Sequence, residues 1–321
     1  MPMVKFWGTR GSIPVAPHAH NIRARLEDIL IKAVDKQLTS YDDIAPFLDS
    51  LSFPEVGSFG GNTSCVEIDT GKGDYLLCDM GTGLRDFAAH YLRDPKQQRS
   101  KTFHLLLSHL HWDHIMGFPF FTPAYIPGHK IHIYGCHEQL ESAIRAQHSG
   151  PGFPVSFDTL LADIEFHLFN PGEKHHINGI EVEAFLQVHE GNSYGYRFQV
   201  DDKKIVYSTD SEHKVEDQAR LDRFVRFIQN ADLVIFDAMY SLLEAVTLKE
   251  DWGHSSNLMG VELCLRAAAK KLCLFHHDPV HSDEEIQQNL DEAENFAALI
   301  AQSHQPSLEV IAAWDGLQVE V

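Results

Sequence analysis

Long hydrophobic runs are absent from this sequence: no stretch approaches the roughly 18 apolar residues that a membrane-spanning helix requires. Residues 1–5 run directly into a strand-like segment and lack the long apolar core of a signal peptide. Cysteine is scarce, and the five residues present form no C-x-x-C pair, which argues against a disulfide framework or a cysteine-based zinc site. We therefore expect a cytoplasmic protein that contains no membrane segment.

Basic residues are also few relative to acidic ones. The chain has 26 Lys and Arg residues against 46 Asp and Glu residues, which gives a formal net charge of −20. Because nucleic acid binding depends on basic side chains that neutralise phosphates, this balance disfavours a long nucleic acid as partner. A small anionic substrate is not excluded, since divalent ions can make a single pocket locally positive.

The remaining composition is that of a globular protein, with 44% hydrophobic and 22% charged residues in a chain of 321. Strand patterns come first and then alternate with helical patterns, and the second half repeats this order. The clearest strand spans residues 180–188, where apolar side chains alternate strictly. Because no linker separates the halves, we predict one α/β domain over residues 1–321. A helical insertion at about residues 18–57 could pack on the body, cover a pocket or form a dimer contact; packing is the preferred interpretation.

Four potential metal ligands follow an apolar run within six residues. The sequence FHLLLSHLHWDH begins at Phe103 as a buried strand and ends with His109, His111, Asp113 and His114. His109 and His111 are two residues apart, so their side chains lie on the same side at the end of a strand. Imidazole and carboxylate groups bind zinc, and also iron or manganese. The arrangement indicates two adjacent ions.

Three further candidates end separate predicted strands. His189 follows the alternating strand, Asp210 follows KIVYST, and His276 follows LCLF. Ligands at the ends of different strands can converge on a rigid scaffold. His277 competes with His276 for the last position, and we favour His276.

The H-x-H-x-D-H motif resembles the metal-binding signature of the metallo-β-lactamase fold. The resemblance starts at VKFWGTRGS, continues through GGNTS and DMGTG, and ends at LFHHDP. It is closest to the branch that contains RNase Z and related phosphodiesterases. It implies a four-layer αββα sandwich with two divalent metal ions, Zn²⁺ in the first place and Mn²⁺ or Fe²⁺ as alternatives. The implied ligands are His109, His111 and His189 for the first ion, Asp113, His114 and His276 for the second, and Asp210 for both.

The resemblance also suggests residues with other roles in the site. His254, in the sequence WGHSS, is similar to the accessory histidine that assists the leaving oxygen in the phosphodiesterase branch; a helix-capping or surface histidine is the alternative. Asp113 could also accept the proton of the attacking water. The candidates for orienting a metal ligand or contacting substrate are Asp79, His277, Asp278, Asn62 and Ser64.

These features predict a metal-dependent hydrolase, specifically a dinuclear phosphodiesterase. We expect it to cleave a cyclic nucleotide or cyclic phosphate by means of a hydroxide that bridges the two metal ions. An RNase Z-like RNA endonuclease is one alternative, but the tRNA-binding arm of that family would lie between His189 and Asp210, where only 20 residues are available. A thioester, lactone or β-lactam hydrolase is another alternative, and it would not need His254. Homodimer formation through the insertion is left open.

Overall fold

Two seven-stranded sheets form the centre of the protein, seen in a computed structural model that describes residues 1–93, 95–301 and 307–321. The strands are β1 (Met3–Gly8), β2 (Cys65–Asp69), β3 (Tyr75–Cys78), β4 (Thr102–Leu106), β5 (Lys130–Gly135), β6 (Asp163–Leu168), β7 (Lys174–Ile177), β8 (Ile180–Gln187), β9 (Ser193–Val200), β10 (Lys203–Ser208), β11 (Leu233–Asp237), β12 (Lys271–Phe275), β13 (Glu309–Ala312) and β14 (Gln318–Glu320). The first sheet has the order β14-β1-β2-β3-β4-β5-β6, and the second has the order β13-β12-β11-β10-β9-β8-β7.

The helices lie between the strands in sequence. They are α1 (Ala19–Asp35), α2 (Ile44–Asp49), α3 (Phe53–Val56), α4 (Gly83–Arg93), α5 (Trp112–Ile115), α6 (Leu140–Gln147), α7 (Gln218–Phe227), α8 (Leu242–Thr247), α9 (Asn257–Arg266) and α10 (Asp283–Ala301). Within the described ranges, no helix combines the length and the apolar character that crossing a bilayer requires.

Each sheet is antiparallel on one side and parallel on the other. Strands β3 to β6 are parallel in the first sheet, as are β10 to β13 in the second. Parallel neighbours need a crossover connection, which is usually helical. Helices α4 and α6 provide crossovers for the first sheet, and α7, α9 and α10 for the second. These helices therefore cover the outer faces.

The main apolar core lies between the sheets and takes side chains from both. Phe6 and Leu106 come from the first sheet, and Tyr196, Ile235 and Phe275 come from the second. Two further apolar clusters pack between each sheet and its outer helices. Strand β8 confirms the predicted alternation, because buried and partly buried residues alternate along most of its length. The predicted αββα sandwich is confirmed.

The insertion is helical, but its longest helix makes mainly polar contacts with the body. None of the residues of α1 is buried. Arg25 bonds to the carbonyl of Gly57 and the carboxylate of Asp283, and Lys32 pairs with Glu55. Most apolar side chains of α1 thus remain exposed in the described part of the chain, whereas α2 and α3 each bury one residue.

Candidate metal centre

The ends of strands from both sheets meet at one edge of the sandwich. Strand β4 leads into the H-x-H-x-D-H segment. Strand β12 ends immediately before His276, and one residue separates the ends of β8 and β10 from His189 and Asp210. All seven predicted ligands are brought together there in two overlapping groups, in each of which the ligand atoms lie within 4.8 Å of one another. The first group is His109, His111, His189 and Asp210, and the second is Asp113, His114, Asp210 and His276.

Asp210 belongs to both groups because its two carboxylate oxygens face different histidines. Oδ2 lies 3.5 Å from Nε2 of His109 and 3.6 Å from Nε2 of His189. Oδ1 lies 3.1 Å from Nε2 of His114 and 3.2 Å from Nε2 of His276. This geometry allows one carboxylate to contact two neighbouring ions.

The spacing of the donor atoms fits metal ions. A tetrahedral ion about 2.0–2.1 Å from each nitrogen or oxygen ligand separates those ligands by about 3.3 Å, close to the distances around Asp210. Nε2 of His109 and Nε2 of His114 are also buried and have no hydrogen-bond partner in the described part of the chain. Buried polar atoms are normally paired, so these two nitrogens have the surroundings expected of metal ligands.

Burial and mutual charge interactions shift the pKa values of the centre strongly. Burial and the neighbouring His114 hold the pKa of His109 well below its ordinary value. Burial raises the pKa of Asp113 and Asp210, but the adjacent imidazoles, His114 above all, outweigh this and lower both. Burial lowers the pKa of His114, but Asp113 and Asp210 outweigh it and raise that pKa. A bound divalent ion would displace this proton and take its place beside the carboxylates.

Asp79 orients the His114 ring from behind. Its Oδ2 lies 2.7 Å from Nδ1 of His114, and it also accepts hydrogen bonds from the hydroxyls of Ser108 at 2.8 Å and Tyr207 at 2.7 Å. Because an ionised carboxylate only accepts, it holds the proton of His114 on Nδ1 and directs Nε2 towards the other ligands. Asp79, which the sequence analysis named as a candidate for orienting a metal ligand, thus lies against the imidazole of His114.

The backbone is held in an uncommon conformation at several of these positions. The φ angles of Asp79, Asp210 and His276 are 61°, 37° and 62°. Residues other than glycine rarely adopt this left-handed region, and such strain concentrates at functional sites. Here each strained residue directly or nearly directly follows a strand, and the turn directs its side chain into the centre.

His254 lies beside the centre and is held by Asp237, a residue that the sequence analysis missed. Nδ1 of His254 donates a hydrogen bond to Oδ2 of Asp237 over 2.9 Å. Burial lowers the pKa of His254, but Asp237 outweighs this effect and raises it to about 9. The ring of His254 stacks on that of His276 at 5.2 Å between centroids, so it lies against a predicted metal ligand. Asp237 is the last residue of strand β11, which lies between β10 and β12. An acidic residue at the end of a predicted strand was the sequence feature that could have identified it.

The other predicted orienting or substrate-contacting residues form their hydrogen bonds elsewhere. Nε2 of His277 lies 2.8 Å from the carbonyl of Ala313, and the Asp278 carboxylate lies 3.4 Å from Nζ of Lys249. The amide of Asn62 donates to Asp86. Ser64 is buried, with a hydroxyl that has no partner among the described residues. These four residues lie in the loops before β2 and after β12, and none of them belongs to the two groups of potential ligands.

Ser12 is a second contact that the sequence analysis missed. Its backbone N–H donates to Oδ2 of Asp113 over 2.8 Å, and its φ angle is 58°. The adjacent Gly11 lies so close to His276 that an added Cβ would come within 2.6 Å of the imidazole. The loop after β1 therefore fixes the second group of ligands from the N-terminal side.

Sequence and structure comparisons place these features among known proteins. Residues 74–277, which include Asp79 and all seven predicted ligands, match the family model described as the β-lactamase superfamily domain. Ribonuclease Z from Oceanobacillus iheyensis is 22% identical over 285 residues, covering 72% of this chain and 89% of that protein. Ribonuclease Z from Staphylococcus saprophyticus is 28% identical over 130 residues, a match that spans 38% of each protein. The metallo-β-lactamase fold protein YhfI from Bacillus subtilis has a similar structure, with a TM-score of 0.64 and 19% identity over 99% of this chain and 98% of that chain.

Proposed function

This chain belongs to the β-lactamase superfamily and is a metal-dependent hydrolase, and we propose that it cleaves a small phosphodiester such as a cyclic nucleotide or cyclic phosphate. The observation that carries the proposal is the position of His254. It adds a potential proton donor, held by Asp237, to a constellation of seven metal ligands. Cleavage of a phosphodiester leaves an alkoxide that needs such a proton.

We assign the seven ligands to two divalent ions, with Zn²⁺ as the first choice and Mn²⁺ or Fe²⁺ as alternatives. When bound, such a pair of ions polarises a phosphoryl group and lowers the pKa of a water molecule towards neutrality. His109, His111 and His189 would hold one ion, and Asp113, His114 and His276 the other. Asp210 would bridge them, because its two oxygens face the two groups separately.

Two side chains handle protons in this proposal. Asp113 accepts the proton of the attacking water, in addition to holding metal. His254 donates a proton from Nε2 to the leaving oxygen, since Nδ1 is occupied by Asp237. The negative charge of Asp237 keeps His254 protonated before transfer and stabilises the imidazole in one orientation.

Two observations favour a small substrate over a folded RNA. The residues between His189 and Asp210 form the hairpin of β9 and β10 within the second sheet, which leaves no protruding arm among them. The net charge of −20 also opposes wrapping of a long polyanion. The centre is accessible at His111 and Trp112, both of which are exposed.

An RNA endonuclease is the second candidate, and the ribonuclease Z relatives favour it. One set of assays separates the candidates. Protein loaded with Zn²⁺ or Mn²⁺ is incubated with bis-p-nitrophenyl phosphate, a panel of cyclic nucleotides, a precursor tRNA and a chromogenic β-lactam. We expect turnover of a cyclic nucleotide or the model diester. Cleavage of precursor tRNA alone would favour the endonuclease, and cleavage of the lactam alone would overturn a phosphodiesterase.

We also propose that residues 1–321 act as one domain and that the chain forms a homodimer. The single-domain proposal is supported by the core between the sheets, to which both halves of the chain contribute. The homodimer is supported by α1, where Leu26, Leu30 and Val34 expose 56%, 64% and 75% of their surface. Contiguous exposed apolar side chains of this kind are typical of interaction surfaces.

A further inference from the structure

A second cluster of metal-binding side chain types lies on the first sheet, away from the centre. His132 is on β5, and Glu165 and His167 are on the neighbouring strand β6. His132 pairs with Glu165 in the parallel register, and His167 is two residues further along the same strand. The three side chains therefore lie on the same face of the sheet. They lie within β5 and β6, whereas the residues of the metal centre follow the C-terminal ends of their strands.

The three donor atoms form a small triangle. Nδ1 of His132 lies 3.1 Å from Nε2 of His167 and 3.2 Å from Oε2 of Glu165, and Nε2 of His167 lies 3.5 Å from that same oxygen. Ligands of a tetrahedral zinc ion are separated by about 3.3 Å when each bond is about 2.0–2.2 Å. We propose that His132, Glu165 and His167 form a zinc site separate from the dinuclear centre.

Neighbouring aromatic rings hold the two imidazoles in place. The ring of His104 stacks on that of His132 at 5.1 Å and 14°, and the ring of Tyr134 stacks on that of His167 at 4.7 Å and 19°. Nδ1 of His104 in turn lies 3.0 Å from the Tyr134 hydroxyl. Rings fixed by packing lose little freedom when they bind an ion, which favours binding.

The side chains of the cluster are of the types that bind zinc. A neutral imidazole and a carboxylate match the ligand preferences of Zn²⁺. The Glu165 side chain is 53% exposed, so the fourth coordination position opens to solvent and can take a water molecule.

The position of the cluster indicates a structural role for the ion. Among the described strands, β6 is an edge of the first sheet and its neighbour is β5. An ion held by His132 on one strand and by Glu165 and His167 on the other would cross-link that edge. Because a ligand that binds only the folded state stabilises it, zinc should raise the melting temperature through this site.

The test counts zinc in three variants of the full chain. Glu165→Gln and His167→Gln each remove one proposed ligand, and His176→Gln on β7 is the control, because His176 is exposed and outside the cluster. Each protein is loaded with Zn²⁺, desalted and examined by native mass spectrometry. We expect Glu165→Gln and His167→Gln to hold one zinc ion fewer per chain than the unmodified protein and His176→Gln, with a smaller rise in melting temperature on zinc addition.

Equal zinc counts in the unmodified protein and the three variants would overturn the proposal. It would also be overturned if His176→Gln lost as much zinc as Glu165→Gln and His167→Gln. Failure of the proposed phosphodiesterase activity gives a different result, because it leaves the difference in zinc count intact. His114→Ala provides the converse control. His114→Ala should reduce the zinc content of the dinuclear centre. Glu165→Gln, added to that variant, should still remove one further ion.

Discussion

The Nδ1 atom of His254 donates a hydrogen bond to Oδ2 of Asp237 over 2.9 Å, and Asp237 also accepts from the backbone N–H of Ser211 at 2.9 Å. Asp237 Oδ1 lies 3.9 Å from Nδ1 of His276, so the same carboxylate faces both the proposed proton donor and a proposed metal ligand. This arrangement fixes His254 beside the centre without making it one of the seven ligands.

Replacing His254 by alanine should separate catalysis from metal binding. We expect turnover of a phosphodiester to fall by roughly 10²–10⁴-fold, the usual contribution of a positioned proton donor. Metal content should stay unchanged, because the seven ligands are intact. Steady-state kinetics and elemental analysis of the same preparation measure both quantities. Unchanged turnover would remove His254 from the mechanism, and loss of metal would make it a structural residue.

Asp79→Asn should weaken metal binding although it replaces none of the proposed ligands. The Asp79 Oδ2 atom accepts from three donors and Oδ1 accepts from the backbone N–H of Ser108, so the amide group of asparagine would set an N–H against at least one of these donors. We expect roughly 10–100-fold weaker affinity for the ion held by His114, which a titration with a competing chelator would measure.

Tyr207→Phe is the matched control for this variant. It removes one of the three donors and keeps the carboxylate, so the orientation of His114 should survive and the loss of affinity should be smaller. An equal effect of both substitutions would show that the whole buried network, and not the charge of Asp79, positions His114.

The sequence predicted those site residues that are of a metal-binding type and also stand in a compact motif or just after a recognisable strand. His109 to His114 form a compact motif, and His189, Asp210 and His276 each follow a strand that apolar patterning reveals. Strand β12 ends at Phe275, so His276 turns into the centre with a φ of 62° while His277 turns away. The sequence favoured this choice but left the alternative open.

The missed residues depend on contacts that no local pattern records. Asp237 approaches His254 only because β11 lies between β10 and β12, and Ser12 reaches Asp113 through its backbone. The cluster of His132, Glu165 and His167 depends on the register of β5 against β6. For the insertion, the helical period of α1 predicts an apolar face but does not reveal what covers that face.

Gly253→Ala should impair the centre through His189. The Gly253 carbonyl lies 2.9 Å from Nδ1 of His189, and a Cβ on Gly253 would come within 2.5 Å of that nitrogen. The φ angle of +81° adds a backbone cost of roughly 1–2 kcal/mol for a residue with a side chain. We expect reduced metal content and turnover.

Gly128→Ala is the control for backbone strain. Gly128 has a φ of +83° and nothing within 4 Å of an added Cβ, so only the conformational cost applies there. Gly253→Ala should lose at least as much stability as Gly128→Ala in thermal denaturation, and only Gly253→Ala should lose metal. Equal metal content in the two variants would contradict a role for Gly253 in placing His189.

Leu30→Glu should disrupt the proposed homodimer. Leu30 lies in the exposed apolar face of α1, and a charge there would oppose its burial between two chains. Light scattering should show a dimer for the unmodified protein and a monomer for the variant. Leu161→Glu, at a residue that is 57% exposed outside the insertion, should remain dimeric. A monomeric unmodified protein would reject the dimer.

Asp315 gives a prediction about stability and pH that is independent of metal. Burial raises the pKa of Asp315 to about 6, even though its carboxylate accepts hydrogen bonds from the backbone N–H groups of Gly61 and Asn62 and from the Thr9 hydroxyl. The unfolded chain should titrate this group near about 3.9. A raised pKa means that the folded state binds the proton more tightly, so the stabilisation is complete below about 3.9 and is lost as the pH rises through about 6.

Asp315→Asn isolates this contribution, because an amide keeps an oxygen for the two N–H groups but does not titrate. The free energy of unfolding, measured by urea denaturation between pH 4 and pH 7, should fall with rising pH in the unmodified protein relative to the variant. The difference should level off at about pH 7, roughly one unit above the folded-state pKa, where the carboxylate is ionised in both the folded and the unfolded state. A constant difference across this range would show that the three donors keep Asp315 ionised in the folded protein, as in an ordinary surface carboxylate.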